Sequence, residues 1–127
     1  MAYRSALPAA EHVLRACKCS FCRKHNSLAV SDPHGAAEII IADEAKVSRY
    51  RFGLGTADFI VCRDCGVYVA VVMTDGEKSW SATIVNALDD RAAFSGPVEP
   101  VDFSAEGRNE RLVRRRTRWT STVFRHP

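Results

Sequence analysis

The sequence predicts a mainly antiparallel β fold with zinc knuckles and a short C-terminal helix, on three observations. Short apolar segments separated by turn residues dominate the chain, with no internal repeat and no low-complexity tract. The five cysteines fall into one triple and one pair, both with metal-ligand spacing. After Gly96-Pro97 the character changes, and arginines crowd a segment that reads as a helix.

The expected strands, in chain order, are His12–Cys17, Leu28–Val30, Glu38–Ala42 with its Ile39-Ile40-Ile41 run, Val47–Phe52, Phe59–Cys62, Val67–Met73 and Trp80–Val85. β-Branched and aromatic residues concentrate in them, because such side chains fit a pleated, half-buried surface, and Gly- or Asp-rich breaks bound them. Thr74-Asp75-Gly76-Glu77 reads as a hairpin turn between two of them. Ser104 is placed to cap a helix running to about Arg118, with Leu112 and Trp119 spaced to pack on the sheet. We expect a single domain over residues 1–127, with 95–127 a basic helical tail packed on it.

Composition agrees with one globular domain: 46% of residues are hydrophobic and 26% charged, so a core is available. The N-terminal stretch has no apolar run of signal-peptide length, and no segment is long enough to span a bilayer, so neither secretion nor a membrane is expected. The net charge of +3 is too small to argue for nucleic acid. A chain of 127 residues buries roughly two-thirds of its unfolded surface and needs no disulfide staples, and five cysteines make an odd framework. The thiols are expected reduced or metallated, in the cytoplasm, on a monomer or homodimer.

The cysteines carry the chemistry. Cys17, Cys19 and Cys22 form C-x-C-x-x-C, and Cys62 and Cys65 form C-x-x-C followed by Gly66. Thiolates two or three residues apart can present their sulfurs to one tetrahedral Zn²⁺. On a strand, Cys17 and Cys19 would share a face, and a turn would bring Cys22 in to close the triangle. Gly66 supplies the left-handed geometry that a knuckle at Cys62 and Cys65 needs. All five are candidate metal ligands.

The stretch Ala16-Cys17-Lys18-Cys19-Ser20-Phe21-Cys22-Arg23-Lys24-His25, then Tyr50-Arg51-Phe52, then Val61-Cys62-Arg63-Asp64-Cys65-Gly66-Val67-Tyr68, resembles the glutathione-dependent formaldehyde-activating family, which includes CENP-V-like proteins. The resemblance covers roughly residues 12–90. It implies a β-tent fold of small antiparallel sheets, a zinc held by Cys17, Cys19 and Cys22 with glutathione near it, and a carbon–sulfur lyase activity making S-hydroxymethylglutathione. Family members carry a further C-x-C near the N-terminus, which the resemblance would place just ahead of Met1; this chain lacks it, so it starts late relative to them or has lost that strand.

The chemistry of the residues is compatible. Three thiolates on Zn²⁺ leave a net charge of −1 and one position that can take and deprotonate an incoming thiol, which could then attack a small aldehyde. Cys17, Cys19 and Cys22 are therefore the candidate catalytic residues. Arg23 and Lys24 follow the triple and are candidates to offset its charge and hold the glutathione co-substrate, or they face solvent. His25 stands at C-x-x-H spacing, as a fourth ligand or as a nearby surface histidine; His12, His34 and His126 receive no role. Five cysteines support at most one well-formed site: the triple with an exchangeable ligand, which the resemblance favours, or a closed site of Cys19, Cys22, Cys62 and Cys65. A closed site would point to a zinc-stabilised binding or scaffold module without turnover.

Arg108, Arg111, Arg114, Arg115, Arg116 and Arg118 crowd the expected helix with Glu110 as the only acid among them. Arg111, Arg115 and Arg118 share a face. That face is solvated, or binds the glutathione carboxylates bidentately, or contacts phosphates. Aromatic residues interleaved with it are few, only Trp119 and Phe124, so nucleic acid is the weaker of these.

Overall fold

The computed structural model describes all 127 residues. Ten strands and two helices follow in the order β1 (Ala2–Arg4), β2 (Leu14–Cys17), α1 (Ser20–His25), β3 (Ala29–Val30), β4 (Ala36–Ile40), β5 (Val47–Tyr50), β6 (Asp58–Cys62), β7 (Tyr68–Asp75), β8 (Lys78–Ile84), β9 (Val98–Val101), α2 (Arg108–Arg118) and β10 (Thr120–Arg125). Strands β2 to β8 occupy the seven expected positions. The expected hairpin is present: Asp75 pairs with Lys78 across a two-residue turn in which Gly76 has φ of 64°, the positive φ that tight hairpin turns require.

The strands join one branched, mixed sheet rather than a set of antiparallel ones. A path β1-β4-β10-β8-β3-β2-β9 is joined by a second arm in which β8 pairs with β7, β7 with β6 and β6 with β5. Two pairings are parallel, β10 with β4 and β2 with β9. Both parallel partners come from residues 95–127, which are therefore not a helical tail laid on the sheet but supply two of its strands. In β10 the inward positions are hydroxyls. Thr120 and Thr122 are buried while Val123 is half exposed, so the strand lacks the apolar alternation that marks a buried face. Its hydroxyls are satisfied internally: Thr122 Oγ1 lies 2.6 Å from Ser81 Oγ, and Thr120 Oγ1 accepts from the Asp32 N–H at 2.9 Å.

The expected helix is α2, but Gly107 rather than Ser104 occupies its N-cap. Ser104 instead sits in a turn before it, its N–H bonded to Asp102 Oδ1 at 2.9 Å. Trp119, just past the last turn, packs as expected with Val71, Met73, Ala82 and Ile84, and Leu112 lies against the same cluster. A second cluster, Ile39, Ile41, Ile60, Ala70 and Val72, fills the other face of β7. A third, Leu14, Val30, Val85 and Phe94, lies beneath β2 and β3. No helix is long and apolar enough to cross a membrane.

The β2–β9 pairing positions the start of the cysteine triple, and it depends on a close approach. The Leu14 N–H bonds to the Pro97 carbonyl at 2.9 Å, and a Cβ added at Gly96 would lie 2.0 Å from the His12 carbonyl oxygen. Only glycine lets these backbones meet. We expect Gly96→Ala to lower unfolding stability by about 1–3 kcal/mol, as overpacking does, measured by denaturant titration. An unchanged midpoint would show that the two segments part freely.

Candidate metal centre and its cavity

The triple is assembled across the junction of β2 and α1. Cys17 is the last residue of β2, held in register with Val101 of β9. The strand stops there, so Cys19 does not continue it. Cys19 is the N-cap of α1 and Cys22 lies in its first turn, with the Cys22 N–H donating to Cys19 Sγ at 3.4 Å. A cysteine thus does what Ser or Asp does at most helix starts, accepting from an otherwise unpaired N–H. The three sulfurs lie within 4.8 Å of one another.

That geometry suits a metal. Tetrahedral Zn–S bonds of about 2.3 Å put bound sulfurs roughly 3.8 Å apart, so the cluster needs only a small contraction. One of the three thiols, Cys17, is already biased to lose its proton. A hydrogen bond from the Cys22 thiol holds the Cys17 pKa at about 6 against the opposing effect of burial, helped by Cys19 and by the charge of Arg114. Cys22, as the donor, is pushed up. Tyr68 supplies a second test. Its hydroxyl is buried and has no hydrogen-bond partner, while burial and then the charges of Cys22, Cys19 and Cys17 push its pKa well above the ordinary tyrosine value. A hydroxyl that stays protonated beside three sulfurs finds its acceptor when those sulfurs are thiolates, as metal binding makes them.

Tyr68 reaches this position through a β-bulge. Ile60 pairs with Ala70, yet the next residue, Val61, pairs with Tyr68, leaving Val69 as the extra residue on β7. One extra residue reverses the alternation, so Tyr68 joins Val71 and Met73 on the face with Cys22. Sequence reading missed both Tyr68 and this bulge, for which a single strand carries no signal.

The triple forms part of the wall of a cavity of about 300 Å³. Phe52, Phe59, Ile84 and Trp119 give it an apolar lining, and Arg15, Lys18, Arg111, Arg114 and Arg115 give it positive charge. Arg23 and Lys24 do not contribute. They are exposed on the last turn of α1 and do not line the cavity, because one and two residues past Cys22 a helix has turned roughly 100° and 200° away. His25 is also outside: its Nδ1 bonds the Phe21 carbonyl at 2.9 Å and its ring stacks on Phe21 at 4.2 Å. From the arginine-rich face, Arg111 and Arg115 enter the cavity together with Arg114, while Arg118 does not. Arg15 on β2 was not anticipated, since nothing in its local sequence marks its orientation.

Cys62 and Cys65 bracket a tight turn. Gly66 has φ of 74° and its N–H closes the turn on the Cys62 carbonyl at 2.8 Å. The backbone N–H groups of Cys65 and Asp64 lower the Cys62 pKa. The pair does not converge on the triple, which removes the closed site of Cys19, Cys22, Cys62 and Cys65: Cys62 ends β6 opposite Val47 of β5, on the arm of the sheet that does not carry β2. No protein-family model, curated protein or solved structure matches the chain.

Two measurements probe this centre. Zinc should bind once per chain, be retained in Cys62→Ser, be lost in Cys19→Ser and bind about 10- to 100-fold more weakly in Tyr68→Phe, the usual range for removing a group that supports a metal ligand; loss of the metal from Cys62→Ser would refute this arrangement. In metal-free protein, the rate of Cys17 alkylation should rise with pH around a midpoint near 6. A lowered pKa keeps the reactive thiolate populated at neutral pH, and protonation quenches it only below that midpoint. Peptide mapping that returns a midpoint near the ordinary cysteine value of about 8.5 would contradict it.

Proposed function

We propose that this chain is a zinc-dependent carbon–sulfur lyase of the glutathione-dependent formaldehyde-activating type, joining a thiol to a small aldehyde and, with glutathione and formaldehyde, forming S-hydroxymethylglutathione. The observation that carries this proposal is the three-sulfur cluster set in the wall of a cavity large enough for a small molecule. No further His, Cys, Asp or Glu donor joins the three, which favours turnover over a closed structural site.

When bound, zinc would supply one exchangeable position at which an incoming thiol is held deprotonated. The protein's own groups do the rest. Cys17, Cys19 and Cys22 would hold the ion, and Tyr68 would donate to a neighbouring thiolate sulfur. Phe59 and Trp119 keep water from the reacting atoms, and Arg114 and Arg115 offset the negative charge that accumulates on sulfur. In the reaction a sulfur–carbon bond forms as the C=O π pair moves to oxygen, and that oxygen gains a proton in place of the one the thiol lost, so no oxidant or reductant is needed. We further infer that the branched sheet is a β-tent arrangement, that the Cys17–Cys22 segment is its zinc knuckle while the Cys62–Cys65 turn carries no metal, and that the reduced thiols belong to a cytoplasmic protein.

Calorimetry of zinc-loaded protein with glutathione should give a binding heat that weakens in Cys19→Ser, and formaldehyde added to the glutathione-bound protein should give hydroxymethyl adduct faster than without protein. If the heat is absent, or the same in Cys19→Ser, a binding module without turnover becomes the better account.

A further inference from the structure

The wall that shares the cavity with the thiols carries more positive charge than its surroundings neutralise. Arg15, Lys18, Arg111, Arg114 and Arg115 line it against a single acid, Asp102. Glu106, just beyond, binds Arg114 Nε with both carboxylate oxygens, at 3.0 and 2.9 Å, and stands 3.9 Å from Arg111 Nε. Asp102, Glu106 and the net single negative charge of a trithiolate zinc together still leave an excess of two positive charges.

The arginines also hold unused donors. Arg115 is only 7% exposed. It donates from Nη1 to the Thr56 hydroxyl at 2.7 Å and carbonyl at 3.3 Å, and its Nε is buried with no acceptor. Arg111 donates from Nη2 to the Phe103 carbonyl at 2.9 Å, and its Nε is likewise buried without an acceptor. A guanidinium taken out of water with donors unmet is unfavourable unless an anion meets it. The strain shows in Arg115, whose pKa is lowered to about 10 by burial first and then by Arg114 and Arg111.

We propose that Arg111 and Arg115 form an anion subsite in this cavity for the carboxylate of the thiol received at the cysteine triple, so that the co-substrate class is a carboxylate-bearing thiol. A planar carboxylate matches the fork of a guanidinium, which an ammonium does not. The thiol half rests on the function proposed above; the anion half rests on the arginines alone.

The test is calorimetry on the zinc-loaded full chain with 3-mercaptopropionate, 2-mercaptoethanol and propionate. We expect 3-mercaptopropionate to bind at least about tenfold more tightly than 2-mercaptoethanol, the value of one charge-assisted hydrogen-bonded contact, and propionate to compete with it. Arg111→Gln should shrink that preference to about threefold or less, with Arg111→Lys, which keeps the charge without the fork, in between. Equal affinity for the two thiols would overturn the subsite and leave the thiol chemistry standing. A preference that survives Arg111→Gln would place the carboxylate on the metal and overturn it as well. Propionate binding that depends on Arg111, with neither thiol bound, would uphold the subsite and sink the lyase. Should Arg111→Gln fail to fold, competition by propionate in the unaltered chain supports the subsite, and its absence overturns it.

Discussion

Every wall of the cavity is attached to strand β8. One edge of β8 pairs with β7, and the other is divided between β10, at Ser79 to Ser81, and β3, at Thr83 and Ile84. Through β3 it carries β2 and hence Cys17; β7 brings Tyr68; β10 follows α2, which presents the arginines. Ala82 and Ile84 of β8 line the space between them. The branch needs small side chains where three strands meet. Ser81 and Thr83 are fully buried, and the Ser81–Thr122 hydroxyl pair lets β10 lie against β8 without an apolar side chain between them. A bulky residue at Ser81 would push the arginine helix away from the thiols.

The branch brings opposite electrostatic demands into one partly buried space. Burial alone would raise thiol pKa values and lower those of guanidinium groups. Cys17 escapes the first because hydrogen bonds from its neighbours outweigh burial. Arg115 submits to the second, its remaining support coming from Glu106 and Cys17 and from the face of Trp119, whose ring centroid lies 4.8 Å from the guanidinium carbon. At a pKa of about 10 it still carries its charge at neutral pH. Sulfur that favours the thiolate and arginine that keeps its proton stabilise each other, and an effective dielectric well below that of water strengthens the pairing.

What was legible in the sequence follows from how local each feature is. Strands β2 to β8 are marked by runs such as Ile39-Ile40-Ile41 because their inward residues are apolar. Strand β10 is hidden because its inward residues are Thr120 and Thr122, and β9 because Pro100 interrupts its short run. The helix α1 spans only six residues and is capped by Cys19 rather than by a residue that announces a helix. The Cys17, Cys19 and Cys22 grouping is set by spacing within one turn of chain, and it could be seen directly. Arg23 and Lys24 adjoin the triple in sequence, yet the helix turns them outward. The cations that do line the cavity come from β2, the loop after it and α2, and no single-chain pattern records that meeting.

The departures from ordinary packing are concentrated in one place. Four buried polar side-chain atoms lack partners: Tyr68 Oη, Arg111 Nε, Arg115 Nε and Thr83 Oγ1. The first three belong to residues lining the cavity, and the fourth lies on β8 between the lining residues Ala82 and Ile84. Each such atom costs about 1–3 kcal/mol, a large fraction of the roughly 5–15 kcal/mol that holds a domain of this kind together. A fold selected for stability alone would fill these positions with apolar side chains. Departures of this sort gather at functional sites, and here the two kinds call for different ligands: the tyrosine hydroxyl for thiolate sulfur, the guanidinium groups for an oxyanion. A metal and an anionic thiol bound together would meet both, and each would stabilise the fold by an amount that grows with the logarithm of its free concentration over its dissociation constant. Ligand binding and fold stability in this chain are thus two readings of the same unmet hydrogen bonds.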